Sequence, residues 1–457
     1  MRLTPGNRTN AGPGPRSVSA VFFALAIIGF GVLRWLVVML MIPNGSASFP
    51  DELSYAALAQ LLATGGDWEG WNGGEGATLV PSSLALLGPA MVIVKLGIAP
   101  LSAVRLISVA FSVVAQLTLL AIVCAPQLDP EGRPAHQLPV RSWRMLSVAV
   151  MVLFPSAVFW TSLGLKDSLV SASCLAAVLA CMRLTRSVRV STRTLWSIVL
   201  MASLAVQLLA RAYVLIALVT ALGTFLLWTL ADRMRRRGEF SRATRIATVV
   251  GVLAVIVLAG LLATTSRMSG DSSLAGRIVT SVGAQSPLQH VDALPGIRAR
   301  AARVGASGYT IESCATDAPA SPACEARRLP QALVTVVSRP TWPVDSMSDW
   351  SAMWAQLAPL AQMDSLLWCG LLALVAILLV RHRPWSRSLA ALALVYLSIV
   401  WLGLALTEGS LGALMRHRLV LLWPLCLLIA LAGPLRRGRS LPSGSMPADA
   451  GGKPHEH

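Results

Sequence analysis

Two carboxylates stand side by side in Phe49-Pro50-Asp51-Glu52-Leu53-Ser54-Tyr55, just beyond the first long apolar run. A carboxylate at a membrane edge can take a proton from a hydroxyl or hold a divalent metal, and a lipid-linked substrate meets it there without leaving the bilayer. Few other ionisable residues border the apolar runs on the same side. They are Asp67, Glu69 and Glu75 further along the same loop, Arg105, Lys166-Asp167, Arg211-Ala212-Tyr213, Glu408 and Arg416-His417-Arg418. Arg211, Arg416 and Arg418 each present a fork of donors and Lys166 a point charge, which suits a phosphate or diphosphate. Each group also has a plainer reading. Asp51-Glu52 and Asp167 would serve as helix N-terminal acids, Arg211 would snorkel to headgroups, and Arg416-His417-Arg418 would form a basic collar.

The elements that carry these residues follow from composition. The chain has 457 residues, of which 55% are hydrophobic and 13% charged, and the mean hydropathy is +0.66. That is more apolar matter than one soluble core hides, so the class is a polytopic all-α membrane protein. Its net charge of +17 is spread in short arginine clusters between apolar runs. Such clusters signal membrane topology and lipid phosphate contact, and argue against a nucleic-acid face. Runs long enough to span begin near Val18, Leu101, Met145, Asp167, Leu195, Ala212, Ile246, Asp364, Ser388 and Leu419, a bundle of about ten transmembrane helices.

A further apolar stretch, Thr78 to Ile98, decides the topology. If it crosses, every later arginine cluster falls outside; if it is re-entrant or interfacial, restricted by Pro81 and Pro89, they fall in the cytoplasm. The second choice is adopted. It makes residues 1–17 a cytoplasmic arm and 18–265 an N-terminal transmembrane module whose first outer loop is 43–100. Residues 266–350 then form a small extracytoplasmic loop subdomain, 351–435 a C-terminal transmembrane module, and 436–457 a disordered cytoplasmic tail. Both termini are cytoplasmic in a plasma membrane. The loop subdomain carries Cys314 and Cys324, which on the oxidising side read as a disulfide. Arg34 and Trp35 inside the first run, and its length, favour a retained anchor over a cleaved signal. No Gly-rich phosphate loop, zinc spacing, heptad pattern or internal repeat is present.

The Asp51-Glu52-Leu53-Ser54-Tyr55 motif in a first outer loop resembles the GT-C superfamily of integral-membrane glycosyltransferases. That superfamily includes the protein O-mannosyltransferases and the lipid A aminoarabinose transferase. Arg105 resembles the arginine that opens the next span in those enzymes, and Asp167 a second outer-loop acid. The segments Phe154 to Asp167 and Glu408 to Arg418 resemble a poorly characterised bacterial branch associated with polysaccharide synthesis. The resemblance implies a GT-C-like bundle and transfer of a sugar, with inversion, from a polyprenyl-phosphate donor to a glycan, lipid or protein acceptor on the outer face. It implies Asp51, or Glu52, as general base or metal ligand, with Asp167 as the second acid. It implies Arg105, Lys166, Arg211, Tyr213, Arg416, His417 and Arg418 around the donor phosphate, supported by Tyr55 and Glu408. Asp51 and Asp167 are the residues that would hold a magnesium or manganese ion. Leu79-Val80-Pro81-Ser82-Ser83-Leu84 lacks the Lys-Pro-Pro core of several members, which leaves the donor sugar and the metal open.

Two other classes remain. A polysaccharide polymerase or ligase would present a similar basic shell to a lipid diphosphate oligosaccharide. A lipid-linked sugar flippase would need polar groups along a path through the bilayer, where Gln116 and Gln207 read as isolated structural residues.

Overall fold

The computed structural model describes residues 15–41, 50–74, 76–125, 142–185, 189–237, 322–339, 352–382, 388–407 and 411–432. All regular structure among these residues is helical, with no strand. In chain order the helices are α1 (Pro15–Met41), α2 (Pro50–Thr64), α3 (Gly76–Lys95), α4 (Pro100–Val123), α5 (Ser142–Leu153) and α6 (Pro155–Ser162). They continue with α7 (Asp167–Leu184), α8 (Val190–Ala210), α9 (Ala212–Arg237), α10 (Pro322–Ser338), α11 (Ala352–His382) and α12 (Ser388–Thr407). The series ends with α13 (Leu411–His417), a 3-10 turn at Arg418–Leu421, and α14 (Leu422–Leu431).

Eight of the described helical stretches are long and apolar enough to span a bilayer, and the bent pair α5 and α6 makes a ninth. The protein is a polytopic α-helical membrane protein. Those nine match nine of the expected runs; the run from Ile246 lies outside the described residues, as do Glu408, Glu75 and Cys314 and hence the Cys314–Cys324 pairing. Of the expected loop subdomain only α10 and Arg339 are described. Residues 78–95 of the stretch Thr78 to Ile98 belong to α3, whose apolar part Leu79–Lys95 is shorter than the spans. Its helix runs through both Pro81 and Pro89, contrary to the expectation that they would restrict it. Packing on α2 and α4 holds it despite the missing donors.

Three local breaks shape the bundle, and each has a sequence cause. Phe154 precedes a proline and adopts extended backbone (φ −61°, ψ 126°), so α5 and α6 meet at 44°. Arg211 alone is extended (φ −157°, ψ 92°) between α8 and α9. In the last span Pro424 lacks an N–H and its ring crowds the carbonyl four residues back, next to the 3-10 turn at Arg418–Leu421. The most enclosed spans are the last one and α7, with 89% and 78% of their apolar windows buried; α1 and α8, at 17% each, turn most of their apolar surface outward. Such surface is stable only against lipid.

Two buried ion pairs lock the spans. Glu52 and Arg105 are both fully buried, with Arg105 Nε donating to Oε1 at 2.6 Å and Nη2 to Oε2 at 3.2 Å. Glu52 also accepts the Gly164 N–H at 3.0 Å. A Cβ at Gly164 would stand 2.7 Å from Val104 and 3.3 Å from Glu52, so only glycine lets the α6–α7 connection reach this pair. On the other side Arg418 is fully buried, bonded to Asp364, to the Arg339 carbonyl at 3.1 Å and to Ser365 at 3.3 Å, and lies 5.5 Å from the Trp368 ring centre. Asp364 in turn accepts the Ser156 N–H at 3.0 Å. Removing one partner of such a pair strands a buried charge. Asp364→Ala is expected to destabilise the protein by about 3–5 kcal/mol, read as a large drop in melting temperature in lipid nanodiscs; a melting temperature within a degree or so of wild type would contradict this role.

Candidate active site: a carboxylate and arginine cluster at one end of the bundle

Adjacent residues on a helix point about 100° apart, and residues two apart point nearly opposite ways. That geometry divides the sequence motifs. In the first turn of α2, Glu52 turns inward to Arg105 while Asp51 stays half exposed. In the last span, Arg418 turns to Asp364 while Arg416 turns to the opposite side.

Arg416 joins two carboxylates. Its Nη1 donates to Asp51 and its Nε to Asp167. Asp167, in the first turn of α7, is fully buried and also accepts from Arg211 Nη2. Arg211 owes its reach to the extended break between α8 and α9, and its Nη1 donates to the Tyr213 hydroxyl at 3.2 Å. The chain of contacts is therefore Asp51, Arg416, Asp167, Arg211, Tyr213. It draws together α2, α7, the α8–α9 break and α13, which are far apart in sequence.

Other expected residues sit around this chain. Tyr55 is buried one turn along α2 from Asp51; burial raises its phenol above the usual value, so it remains a donor. His417 lies within electrostatic reach of Asp167. Lys166, at the N-cap position of α7, is half buried within the field of Asp51, Asp167, Arg211 and Arg416. Burial, and then the positive charges of Arg211 and Arg416, bring its ammonium down to about 8, against the opposing pull of Asp167 and Asp51. With Lys166 protonated, three cations face two carboxylates. The cluster then carries one net positive charge, which favours an anion.

Several sequence expectations change in this frame. Glu52 and Arg105, read as catalytic acid and phosphate contact, are buried against each other and fix α2 to α4. Arg418, read with the phosphate group, is held by Asp364. The reading of Asp51 and Asp167 as metal ligands does not fit the donor set: the Arg416 guanidinium occupies the place between them, and among the described residues no three His, Cys, Asp or Glu side chains converge. Sequence reading missed Asp364 as a partner, although an acid opening an apolar run was a signal of one. It placed Arg34 within the first span but named no partner for it; the structure bonds it to Thr161 and Ser112.

No known family model, curated protein or solved structure matches this chain.

The cluster's own chemistry is the guide to its ligand. An anion bound there stabilises the Lys166 ammonium, so binding takes up a proton above pH 8 and none below it. Affinity for a phosphodiester is expected to hold steady below about pH 8 and to fall by up to about tenfold per pH unit above it, and Lys166→Met should bind more weakly with no such dependence. Titration calorimetry with a short-chain lipid phosphodiester checks this; an identical pH profile in the variant would rule it out.

Proposed function

We propose that the protein is a glycosyltransferase that moves a sugar, with inversion, from a polyprenyl-phosphate donor to a hydroxyl of a glycan, lipid or protein acceptor. The reaction takes place at the extracytoplasmic face of a plasma membrane, with both chain termini in the cytoplasm. The observation that carries this reading is the Arg416 bridge between Asp51 and Asp167, with Arg211 sharing the second carboxylate. A forked cation held by an exposed carboxylate on one side and a buried one on the other is poised to exchange the exposed partner.

The two halves of the bridge differ in strength. The Asp167 carboxylate is fully buried, while Asp51 is 52% exposed. Exposed pairs contribute only about 0–1 kcal/mol, so an incoming phosphate can take the Arg416 Nη1 from Asp51 while Nε stays on Asp167. The donor phosphate would then lie against Arg416, Arg211 and Lys166, with the Tyr213 hydroxyl beside it. Release from Arg416 frees an Asp51 carboxylate oxygen to accept a hydrogen bond from the acceptor hydroxyl. Asp51 accepts the acceptor's hydroxyl proton, the oxygen attacks the anomeric carbon opposite the phosphate, and the bond from carbon to phosphate oxygen breaks. The departing lipid phosphate gains a negative charge beside the three cations, where stabilisation acts on the transition state. Glu52 and Arg105 hold α2 so that Asp51 faces the site, and Arg418 and Asp364 do the same for the span that carries Arg416.

The test is transfer of labelled sugar from a panel of lipid-monophosphate sugars by the purified protein in nanodiscs. Asp51→Asn is expected to lower turnover by about 100-fold or more with donor affinity nearly unchanged, because it removes proton acceptance and keeps shape. Arg416→Ala should weaken donor binding as well as turnover. Full activity in the Asp51 variant would overturn the mechanism. Silence across the panel, with binding of a lipid diphosphate oligosaccharide, would instead identify a polymerase or ligase.

A further inference from the structure

The turn that carries Arg211 has no local cause. Leu208-Leu209-Ala210-Arg211-Ala212 contains neither proline nor glycine, and leucine, alanine and arginine are good helix formers. Yet α8 stops at Ala210, Arg211 alone is extended, and α9 begins at Ala212. The Arg211 N–H donates to the Gln207 carbonyl at 2.9 Å and so closes α8. Its carbonyl accepts the N–H groups of Val214 at 3.0 Å and Leu215 at 3.2 Å and so opens α9. A break that the local sequence does not impose is held from outside the turn.

Gln207 supplies a hold one turn before Arg211. It is fully buried in α8, and its Nε2 donates to the Val170 carbonyl at 2.7 Å, to Ser173 Oγ at 2.5 Å and to Cys174 Sγ at 3.2 Å. The reverse orientation of the amide would set Oε1 against the Val170 carbonyl, so the donors decide which way it points. All three acceptors belong to α7, and Val170 lies one turn past Asp167. The amide contact therefore runs beside the ion pair of Arg211 and Asp167, one turn further along both helices. Its α7 side is itself braced, since Cys174 Sγ lies 3.6 Å from the Tyr396 hydroxyl of α12, whose ring packs 4.6 Å from that of Trp423 in α14. One side-chain hydrogen bond adds little to the association of two spans in a bilayer. What it fixes is their register, and a guanidinium displaced by an ångström no longer meets its partner in working geometry.

We propose that Gln207 is a positioning residue for Arg211: by bolting the end of α8 to α7 one turn from Asp167, it fixes where the one-residue break falls and keeps the Arg211 guanidinium on Asp167, preformed for a phosphate. It touches neither substrate nor reacting atoms. Without this hold the end of α8 is free to shift along α7, and Asp167 keeps only Arg416. This role rests on the reading of the cluster as a phosphate site, but the placement of Arg211 is measurable with no ligand present.

The test uses Gln207→Met, which keeps the length and loses the donors, and Gln207→Asn, which keeps the amide but is too short to reach Val170. In nanodiscs both are expected to melt within a few degrees of wild type and to bind a short-chain lipid phosphodiester about tenfold more weakly, the scale of one lost charge-assisted hydrogen bond. The fall in affinity that begins near pH 8 should also move to higher pH. Lys166 faces Arg211, Arg416, Asp167 and Asp51, and withdrawing Arg211 alone removes a charge that lowers its ammonium. Arg211→Met should weaken binding in the wild type but add little in the Gln207→Met background, because the two act through one contact. A cryo-EM structure of Gln207→Met without ligand should show the guanidinium withdrawn from Asp167. Unchanged affinity and pH profile, losses from the two substitutions that multiply, or Arg211 still on Asp167 in that structure would each overturn the proposal. A wild type that binds no phosphodiester would contradict the phosphate reading instead, and the ligand-free structure would still decide the role of Gln207.

Discussion

The buried carboxylate of Asp167 holds the candidate site together. It stands in the first turn of α7, one of the most enclosed spans, and binds Arg211 and Arg416 at once. Both arginines come from irregular places, one from a one-residue break between helices and the other from the short helix before a 3-10 turn. Neither position would hold a long cation in place without a fixed anion to receive it. A carboxylate inside a bundle is stable only when paired, so Asp167 and its arginines require one another. Their joint geometry turns the Arg416 Nη1 toward the exposed Asp51.

The other buried charges serve the same end at one remove. Glu52 and Arg105 tie α2 to α4, with Gly164 admitting the backbone of the α6–α7 connection. Asp364 ties α11 to Arg418 in the last span and to Ser156 at the start of α6. These contacts set the two elements that carry Asp51 and Arg416. The division of labour is plain: fully buried pairs fix the framework, and the half-exposed bridge is the one able to change partners. Rigid supports around a few exchangeable polar contacts are what precise positioning of a reacting group needs.

Much of this was legible in the sequence because the bilayer imposes length and composition on every span. The apolar runs from Leu101, Asp167, Ser388 and others correspond to spanning helices, and alternation of direction gathers Asp51, Lys166, Asp167, Arg211 and Arg416 at one end. Partner choice was not legible. Asp51 and Glu52 are neighbours of like charge, yet a turn of about 100° sends one to the site and the other to Arg105. Arg416 and Arg418 look equivalent in a basic triplet, but two residues of helix separate their directions. Asp364 meets Ser156 across 208 positions, a pairing that no local pattern announces. The helix through Pro81 and Pro89 shows packing overriding a local preference.

The most direct measurement is a structure of the protein in nanodiscs with a short-chain polyprenyl monophosphate, compared with the same protein without it. The account predicts phosphate density between Arg416 and Arg211 within reach of Lys166, with the Arg416 contact to Asp51 opened and that to Asp167 kept. Phosphate bound elsewhere, or bound there with Asp51 still on Arg416, would contradict it.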